Sequence, residues 1–163
     1  MYLLAIDQGT TGTTCLLVNE RQEVIDRSYR EFPQIYPQIG WVEHDPEAIW
    51  SSVLETIGDL MKRHSQCEVA AIGITNQRET TVIWDRQSGR PIYNAIVWQC
   101  RRTEVFCQTL RQAGLGDRFQ QTTGLVLDPY FSGTKIKWIL DHTQSLSRAQ
   151  RGELAFGTID SFL

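Results

Sequence analysis

Three short apolar segments, separated by polar turns, open the chain at residues 2–6, 13–18 and 23–32. The intervening stretches, Gln8–Gly12 and Asn19–Gln22, are short and rich in the residue types that form turns. Short apolar runs joined by tight polar turns are typical of β-hairpins. The pattern therefore predicts three successive antiparallel strands.

A helical pattern follows between residues 46 and 61. Asp45 is a suitable N-cap, Pro46 occupies the first helical position, and Glu47 places an acidic side chain in the first turn. Apolar residues then recur at helical spacing: Ile49, Trp50, Val53, Leu54, Ile57, Leu60 and Met61. Because they share one face, we expect this helix to pack against the sheet.

Strands and helices alternate in the rest of the chain. The continuous apolar run at 69–75 indicates a buried strand that ends in polar residues, a common setting for a site. The remaining predicted strands are 80–84, 95–98 and 154–157, and the remaining helices are 103–113 and 132–142. The sequence therefore predicts an α/β protein, in which a mixed sheet with an antiparallel amino-terminal portion carries helices on its faces.

Composition and charge narrow the classes of function. The 163 residues carry 16 Lys and Arg against 19 Asp and Glu, so the net charge is −3 and no nucleic-acid partner is expected. No run approaches the roughly 20 apolar residues of a membrane span, and the first residues lack the basic start of a signal peptide. The four cysteines show no C-x-x-C spacing, which argues against a zinc site or a redox pair. We expect a cytoplasmic protein.

The first hairpin turn carries candidate chemistry. Asp7 ends the first strand and is followed by Gly9, Thr10, Thr11 and Gly12. A carboxylate, two hydroxyls and glycine backbone amides are the groups that Mg²⁺ and phosphates require. An ordinary threonine-rich hairpin is the alternative.

A second candidate site follows the strand at 69–75. Arg78 donates in a fixed fork and Glu79 accepts, so the pair could bind neighbouring hydroxyls of a polyol. A structural ion pair at a strand end is the alternative. Trp98 and Tyr130 do not by themselves indicate a ligand-binding site, because such aromatic residues are more often part of a core.

Four longer motifs carry a resemblance to a known family. They are AIDQGTT at 5–11, GITNQRET at 73–80, IVWQCRRT at 96–103 and TGLVLDPYFSGTK at 123–135. With them the chain resembles, over essentially its whole length, the amino-terminal part of the FGGY carbohydrate kinases, and within that family the bacterial members that phosphorylate glycerol. The resemblance implies a ribonuclease H-like (actin-like ATPase) fold with two domains around a cleft. It also implies ATP-dependent conversion of glycerol to sn-glycerol 3-phosphate.

The resemblance also implies roles for individual residues on the nucleotide side. Asp7 matches the acidic residue near Mg²⁺ and the phosphates, so it is the expected metal residue. Thr11 matches a residue of the phosphate loop that contacts the nucleotide, ATP or ADP, and Thr10 lies in the same loop.

On the polyol side, the resemblance assigns Arg78 and Glu79 to the glycerol hydroxyls. Trp98 matches the aromatic wall against the carbon backbone, and Tyr130 matches a hydroxyl donor to the substrate. Arg101 and Arg102 are interpreted as charges that orient the loop after Trp98.

The resemblance further implies that residues 1–163 are an incomplete amino-terminal part of the first kinase domain, with the second domain absent. The general-base aspartate of the family and its adenosine-binding segments would lie beyond Leu163, so no catalytic residue is expected in this chain. We expect the chain to be inactive alone and the full-length protein to form a homo-oligomer. Two alternatives stay open: a kinase of the same family for another sugar or polyol, and a non-catalytic binding or assembly fragment.

Overall fold

The computed structural model describes residues 1–163 as eight strands and six helices. The strands are β1 (Tyr2–Gln8), β2 (Gly12–Asn19), β3 (Val24–Glu31), β4 (Glu43–His44), β5 (Val69–Asn76), β6 (Val82–Asp85), β7 (Ala95–Ile96) and β8 (Leu154–Gly157). The helices are α1 (Pro46–Arg63), α2 (Glu104–Gln112), α3 (Gly116–Thr123), α4 (Ser132–His142), α5 (Leu146–Gln150) and α6 (Ile159–Phe162). No helix has the length and apolar character needed to cross a membrane.

The main sheet has four strands in the order β3-β2-β1-β5. Strands β1, β2 and β3 are antiparallel, which confirms the three-strand prediction, whereas β5 pairs with β1 in parallel. Ile6 lies opposite Cys15 on one side and Ile74 on the other. Two smaller antiparallel pairs, β4 with β7 and β6 with β8, complete the mixed α/β architecture.

Helix α1 covers one face of the sheet, as its pattern predicts. The Asp45 side chain accepts a hydrogen bond from Glu47 N at 2.9 Å and caps the helix. The largest core cluster joins the sheet to this helix and comprises Leu4, Ile6, Cys15, Leu17, Val53 and Leu60. Full burial of one such aliphatic side chain is worth about 1.5–3 kcal/mol, so this face accounts for much of the stability of the sheet.

Strand β5 differs from the sequence prediction in its burial. It forms where the apolar run predicts a strand, but residues 70–75 are all exposed, so the prediction of a buried strand is wrong. Ile72 and Ile74 are 56% and 42% exposed. The reason is topological: β5 lies at the edge of the sheet, and α1 packs mainly against β2 and β3.

The sequence pattern did not predict three short elements, β4, α3 and α5. Helix α3 has the sequence GDRFQQTT, whose one large apolar residue, Phe119, cannot produce a helical period. Helix α5 is five residues long, and β4 has only two. The predicted strand at 154–157 is confirmed as β8, and the short helix α6 follows it.

Gly12 at the start of β2 permits a close approach of the neighbouring strand, and we predict that Gly12→Ala destabilises the chain. A Cβ there would lie 2.5 Å from the carbonyl oxygen of Arg30 and 2.7 Å from the hydroxyl of Tyr29. Because a backbone atom has to move, we expect a loss of about 2 kcal/mol in the free energy of unfolding, measured by urea denaturation.

Gly73→Ala is the matched control, because a Cβ at Gly73 in β5 meets no atom within 4 Å. It should leave the free energy of unfolding unchanged or slightly raised, since alanine restricts the unfolded chain. Equal urea midpoints for the two variants would contradict the close packing of β2 on β3.

Candidate functional site

The turn between β1 and β2 is tight and is held from two directions. Gly9 N donates to Gly12 O at 2.9 Å and closes the turn. The backbone carbonyl of Thr10 accepts a hydrogen bond from Gln34 Nε2 at 3.0 Å, and its hydroxyl accepts one from Trp98 Nε1 at 2.9 Å. The predicted phosphate loop is therefore joined directly to the predicted aromatic wall, 88 residues further along the chain.

A cavity of about 300 Å³ lies beside this turn. Six residues line it: Thr10, Asn76, Gln77, Arg78, Trp98 and Tyr130. The rings of Trp98 and Tyr130 meet edge to face, with centroids 6.2 Å apart. Four residues singled out from the sequence thus surround one small space, which has the size of a pocket for a small molecule.

Arg78 and Glu79 are adjacent in sequence but point to different neighbours. Arg78 is exposed, lines the cavity, and forms no ion pair or side-chain hydrogen bond within the chain, so its donors are free to meet a ligand. Glu79 Oε2 instead accepts from the backbone N–H and the hydroxyl of Ser132 at 2.9 and 2.7 Å. The hypothesis of an ion pair between Arg78 and Glu79 is therefore wrong. Glu79 is not among the residues that line the 300 Å³ cavity; it lines a second cavity of about 420 Å³.

Asp7 and Thr11 lie outside the 300 Å³ cavity, and both are exposed. Asp7 lies between Thr14 of β2 and Thr75 of β5 in the register of the sheet. The chain has no cluster of three or more His, Cys, Asp or Glu side chains that could hold a metal ion. Mg²⁺ usually binds through one or two carboxylates together with substrate phosphates and waters. A single exposed carboxylate such as Asp7 fits a Mg²⁺ ion that a bound nucleotide helps to hold.

A buried hydrogen-bond network supports the cavity from behind, and the sequence pattern did not reveal it. Gln77 Nε2 donates to Gln8 Oε1 at 3.0 Å, and it lies 3.2 Å from His44 Nδ1. His44 Nε2 lies 2.7 Å from Gln34 Oε1, while the amide nitrogen of Gln34 donates to Thr10 O. Through these contacts the base of the cavity and the hairpin turn form one unit.

The network fixes the protonation of His44. The Oε1 atom of Gln34 is an acceptor, so His44 Nε2 carries the proton and Nδ1 accepts from the amide of Gln77. A second proton on Nδ1 would point at the Gln77 amide N–H, which is also a donor, so the charged imidazolium is disfavoured. Burial, with no acidic partner, lowers the pKa of His44 to about 4.

The loop that carries Trp98 is held by a buried ion pair, which agrees with the loop-orienting interpretation of Arg102. Arg102 Nη2 lies 2.7 Å from Glu43 Oε1, and both side chains are almost fully buried. The guanidinium also lies between two indole rings, 4.0 Å from the centroid of Trp41 and 4.5 Å from that of Trp138. A cation held in this way by two aromatic faces is strongly localised.

Neighbouring donors keep Glu43 ionised inside this cluster. Burial by itself would raise its pKa, but hydrogen bonds from Asn94 and Tyr93 and the positive charge of Arg102 hold the pKa below its usual value. The Asn94 amide and the Tyr93 hydroxyl each donate to a Glu43 oxygen at 2.8 Å. Arg101, in contrast, is exposed and pairs with Glu104 and Asp128 at the surface.

The mixed sheet and the polar cavity at its strand ends define an α/β domain with a candidate small-molecule site, and comparison with known proteins identifies its family. Residues 2–163 match the amino-terminal domain of the FGGY family of carbohydrate kinases. The chain belongs to this family.

Two relatives share more than half of their aligned residues with this chain. The chain is 58% identical to a glycerol kinase of Halothermothrix orenii and 54% identical to one of Shigella dysenteriae. Each match covers 99% of this chain and 33% of the relative. The chain therefore spans about one third of the length of these relatives.

Solved structures confirm the ribonuclease H-like, actin-like fold. A crystal structure of Plasmodium falciparum glycerol kinase with ADP superimposes with a TM-score of 0.92 at 31% identity, covering 99% of this chain and 33% of that one. A gluconate kinase from Lactobacillus acidophilus shares the fold with a TM-score of 0.86 at 22% identity, over 99% of this chain and 32% of that chain.

The neutral state of His44 predicts a loss of stability in acid. Between pH 6.5 and about 4 the unfolded chain binds a proton that the folded chain excludes, so this stability is fully present above pH 6.5 and is lost as the pH falls towards 4. A pKa difference of this size corresponds to about 3 kcal/mol. Urea unfolding at pH 7.0 and pH 4.5 should show the loss in the unsubstituted chain and a smaller loss in His44→Gln.

His142→Gln, at an exposed position of α4, is the control and should keep the pH dependence of the unsubstituted chain. The same pH dependence in all three proteins would show that His44 is not held neutral by the Gln77 network.

Proposed function

We propose that residues 1–163 supply the polyol-binding wall and the phosphate hairpin of an ATP-dependent glycerol kinase, which forms sn-glycerol 3-phosphate. The observation that carries this proposal is the cavity in which Thr10, Arg78, Trp98 and Tyr130 meet. The hydrogen bond from Trp98 to Thr10 supports it further, because it links the polyol side to the phosphate side. Relatives of 53–58% identity that are named glycerol kinases agree with this choice.

On the polyol side, each residue has a distinct role in the proposal. Arg78 donates to a substrate hydroxyl, since its guanidinium has no partner in the chain. The Trp98 ring packs against the carbon backbone, and the Tyr130 hydroxyl donates to the substrate. Glu79 uses one oxygen on Ser132 and keeps Oε1 for a polyol hydroxyl. A cavity of about 300 Å³ suits a small polyol.

On the nucleotide side, Thr10 and Thr11 contact the phosphates of ATP, and Asp7 holds Mg²⁺ together with them. The metal ion would neutralise charge on the phosphates when bound. In phosphoryl transfer most of the rate acceleration comes from positioning and charge stabilisation, so these residues orient the reactants rather than react. The general base is proposed to come from outside residues 1–163. A cytoplasmic location and a homo-oligomeric full-length protein stay predictions.

A hybrid enzyme tests the proposed function. Residues 1–163 replace the matching third of the Halothermothrix orenii kinase, and the hybrid should phosphorylate glycerol with ATP. Arg78→Ala in this hybrid should raise the KM for glycerol by about 10- to 100-fold, since charge-assisted hydrogen bonds are worth about 1.5–3 kcal/mol. The KM for ATP should change less than about twofold, because Arg78 lines the cavity, whereas Asp7 and Thr11 of the proposed phosphate side lie outside it.

Arg86→Ala, at an exposed arginine in the turn after β6, is the matched control and should leave both KM values unchanged. A hybrid that phosphorylates a larger sugar in preference to glycerol would favour another carbohydrate kinase of the family. An unchanged glycerol KM in Arg78→Ala would remove Arg78 from the polyol site.

Residues 1–163 alone should not phosphorylate glycerol, because the proposal places the general base and the adenosine site outside these residues. The measurement is a coupled assay for ADP release and for glycerol 3-phosphate, with the hybrid as the positive control. Formation of glycerol 3-phosphate by the purified chain would show that the base lies within these residues.

A further inference from the structure

Lys135 is a fully buried cation with no acidic partner. It lies in the first turn of α4, on the same face as the buried Ile139, and its relative exposure is 0%. Its ammonium group forms no ion pair and donates instead to two backbone carbonyl oxygens, each at 2.6 Å. Burial lowers the pKa of Lys135 to about 8. An apolar side chain could occupy this space without the cost of burying a charge, so stability alone does not account for the ammonium group.

The two carbonyl groups belong to Glu79 and Tyr130, which are 56 and 5 residues from Lys135 in the chain. Both residues belong to the proposed polyol site. Tyr130 lines the cavity beside Trp98, and Glu79 directly follows Arg78, which lines the same cavity. One ammonium group therefore connects the backbones of the two segments that flank the cavity.

The same turn of α4 also binds the side chain of Glu79. Ser132 donates its backbone N–H and its hydroxyl to Glu79 Oε2, at a helix N-terminus where a carboxylate is favoured. Glu79 has a φ of +64°, a left-handed conformation that costs a non-glycine residue free energy. Lys135 on the carbonyl and Ser132 on the carboxylate together hold Glu79 in this conformation.

We propose that Lys135 is a positioning residue for the polyol site: its ammonium group fixes the backbones at Glu79 and Tyr130 and so holds Arg78 and Tyr130, which line the same cavity, at a fixed separation. The proposal rests on the proposed function in naming a polyol. A merely structural lysine would change stability but leave substrate affinity unchanged in the enzyme that remains folded.

The test compares three substitutions in the hybrid enzyme. Lys135→Met nearly keeps the length of the side chain and removes its donors, while Lys135→Arg keeps a charged donor group but displaces it on a longer side chain. Lys137→Met is the matched control, because Lys137 lies two residues along α4, is exposed and forms its one hydrogen bond and ion pair with Asp141. Steady-state kinetics give the KM for glycerol and for ATP and kcat. Hydrogen exchange of backbone amides reports on the segments 78–81 and 129–132.

In Lys135→Met we expect the glycerol KM to rise at least tenfold, kcat to fall by less than about threefold, and the ATP KM to stay unchanged. Amide exchange should accelerate in both segments. Lys135→Arg should recover part of the glycerol affinity, and Lys137→Met should match the unsubstituted hybrid in every measurement.

A glycerol KM unchanged in folded Lys135→Met would overturn the proposal, as would faster exchange spread evenly over the whole chain. If Lys135→Met does not fold, the glycerol KM and the exchange of Lys135→Arg decide, since a displaced donor should still shift both. If the unsubstituted hybrid does not phosphorylate glycerol, the proposed function fails. The positioning role is then tested by amide exchange alone: faster exchange in both segments of Lys135→Met supports it, and unchanged exchange contradicts it.

Discussion

The parallel pairing of β1 with β5 is the constraint on which the site depends. Gln8 and Asn76 end the two strands opposite each other, and Gln77 N extends the pairing by donating to Gln8 O at 2.8 Å. The carboxyl ends of both strands therefore meet at one edge of the sheet, which is where α/β proteins bind ligands. The hairpin after β1 and the Arg78 segment after β5 become neighbours because of this register, although about 70 residues of chain separate them.

Two buried polar clusters then fix the side chains around that edge, and they respond differently to acid. The Gln77–His44 network consists of neutral groups and requires an unprotonated imidazole. The Arg102–Glu43 pair is ionised, and donors around the carboxylate keep it so. Polar groups removed from water are costly unless they meet suitable partners, so the contacts within each cluster restrict its side chains to few geometries. This requirement gives the hairpin turn and the Trp98 loop their defined positions.

Local patterns predicted most of the longer elements and the residue types of the site, but not which side chains contact one another. Hairpin turns and the Asp45 cap involve neighbours in sequence, so the first strands and α1 could be predicted. Exposure of β5 depends on where α1 packs, which the apolar run does not encode. The partner of Glu79 is Ser132, 53 residues away, rather than the adjacent Arg78. The one available signal for Lys135 was its position four residues before Ile139, on the apolar face of a predicted helix.

The proposed ligand-binding groups and the groups that hold them differ in burial. Asp7, Thr11 and Arg78 are exposed, whereas Gln77 and Lys135 are buried and hydrogen-bonded. A group that binds substrate has to keep donors or acceptors that no other residue occupies. Without substrate, these donors and acceptors are hydrated. A supporting group contributes to the proposed function by holding its neighbours in one position. It does so because it is buried and hydrogen-bonded to them. The supporting layer therefore couples stability to substrate affinity, whereas the exposed layer can change affinity with little effect on the fold.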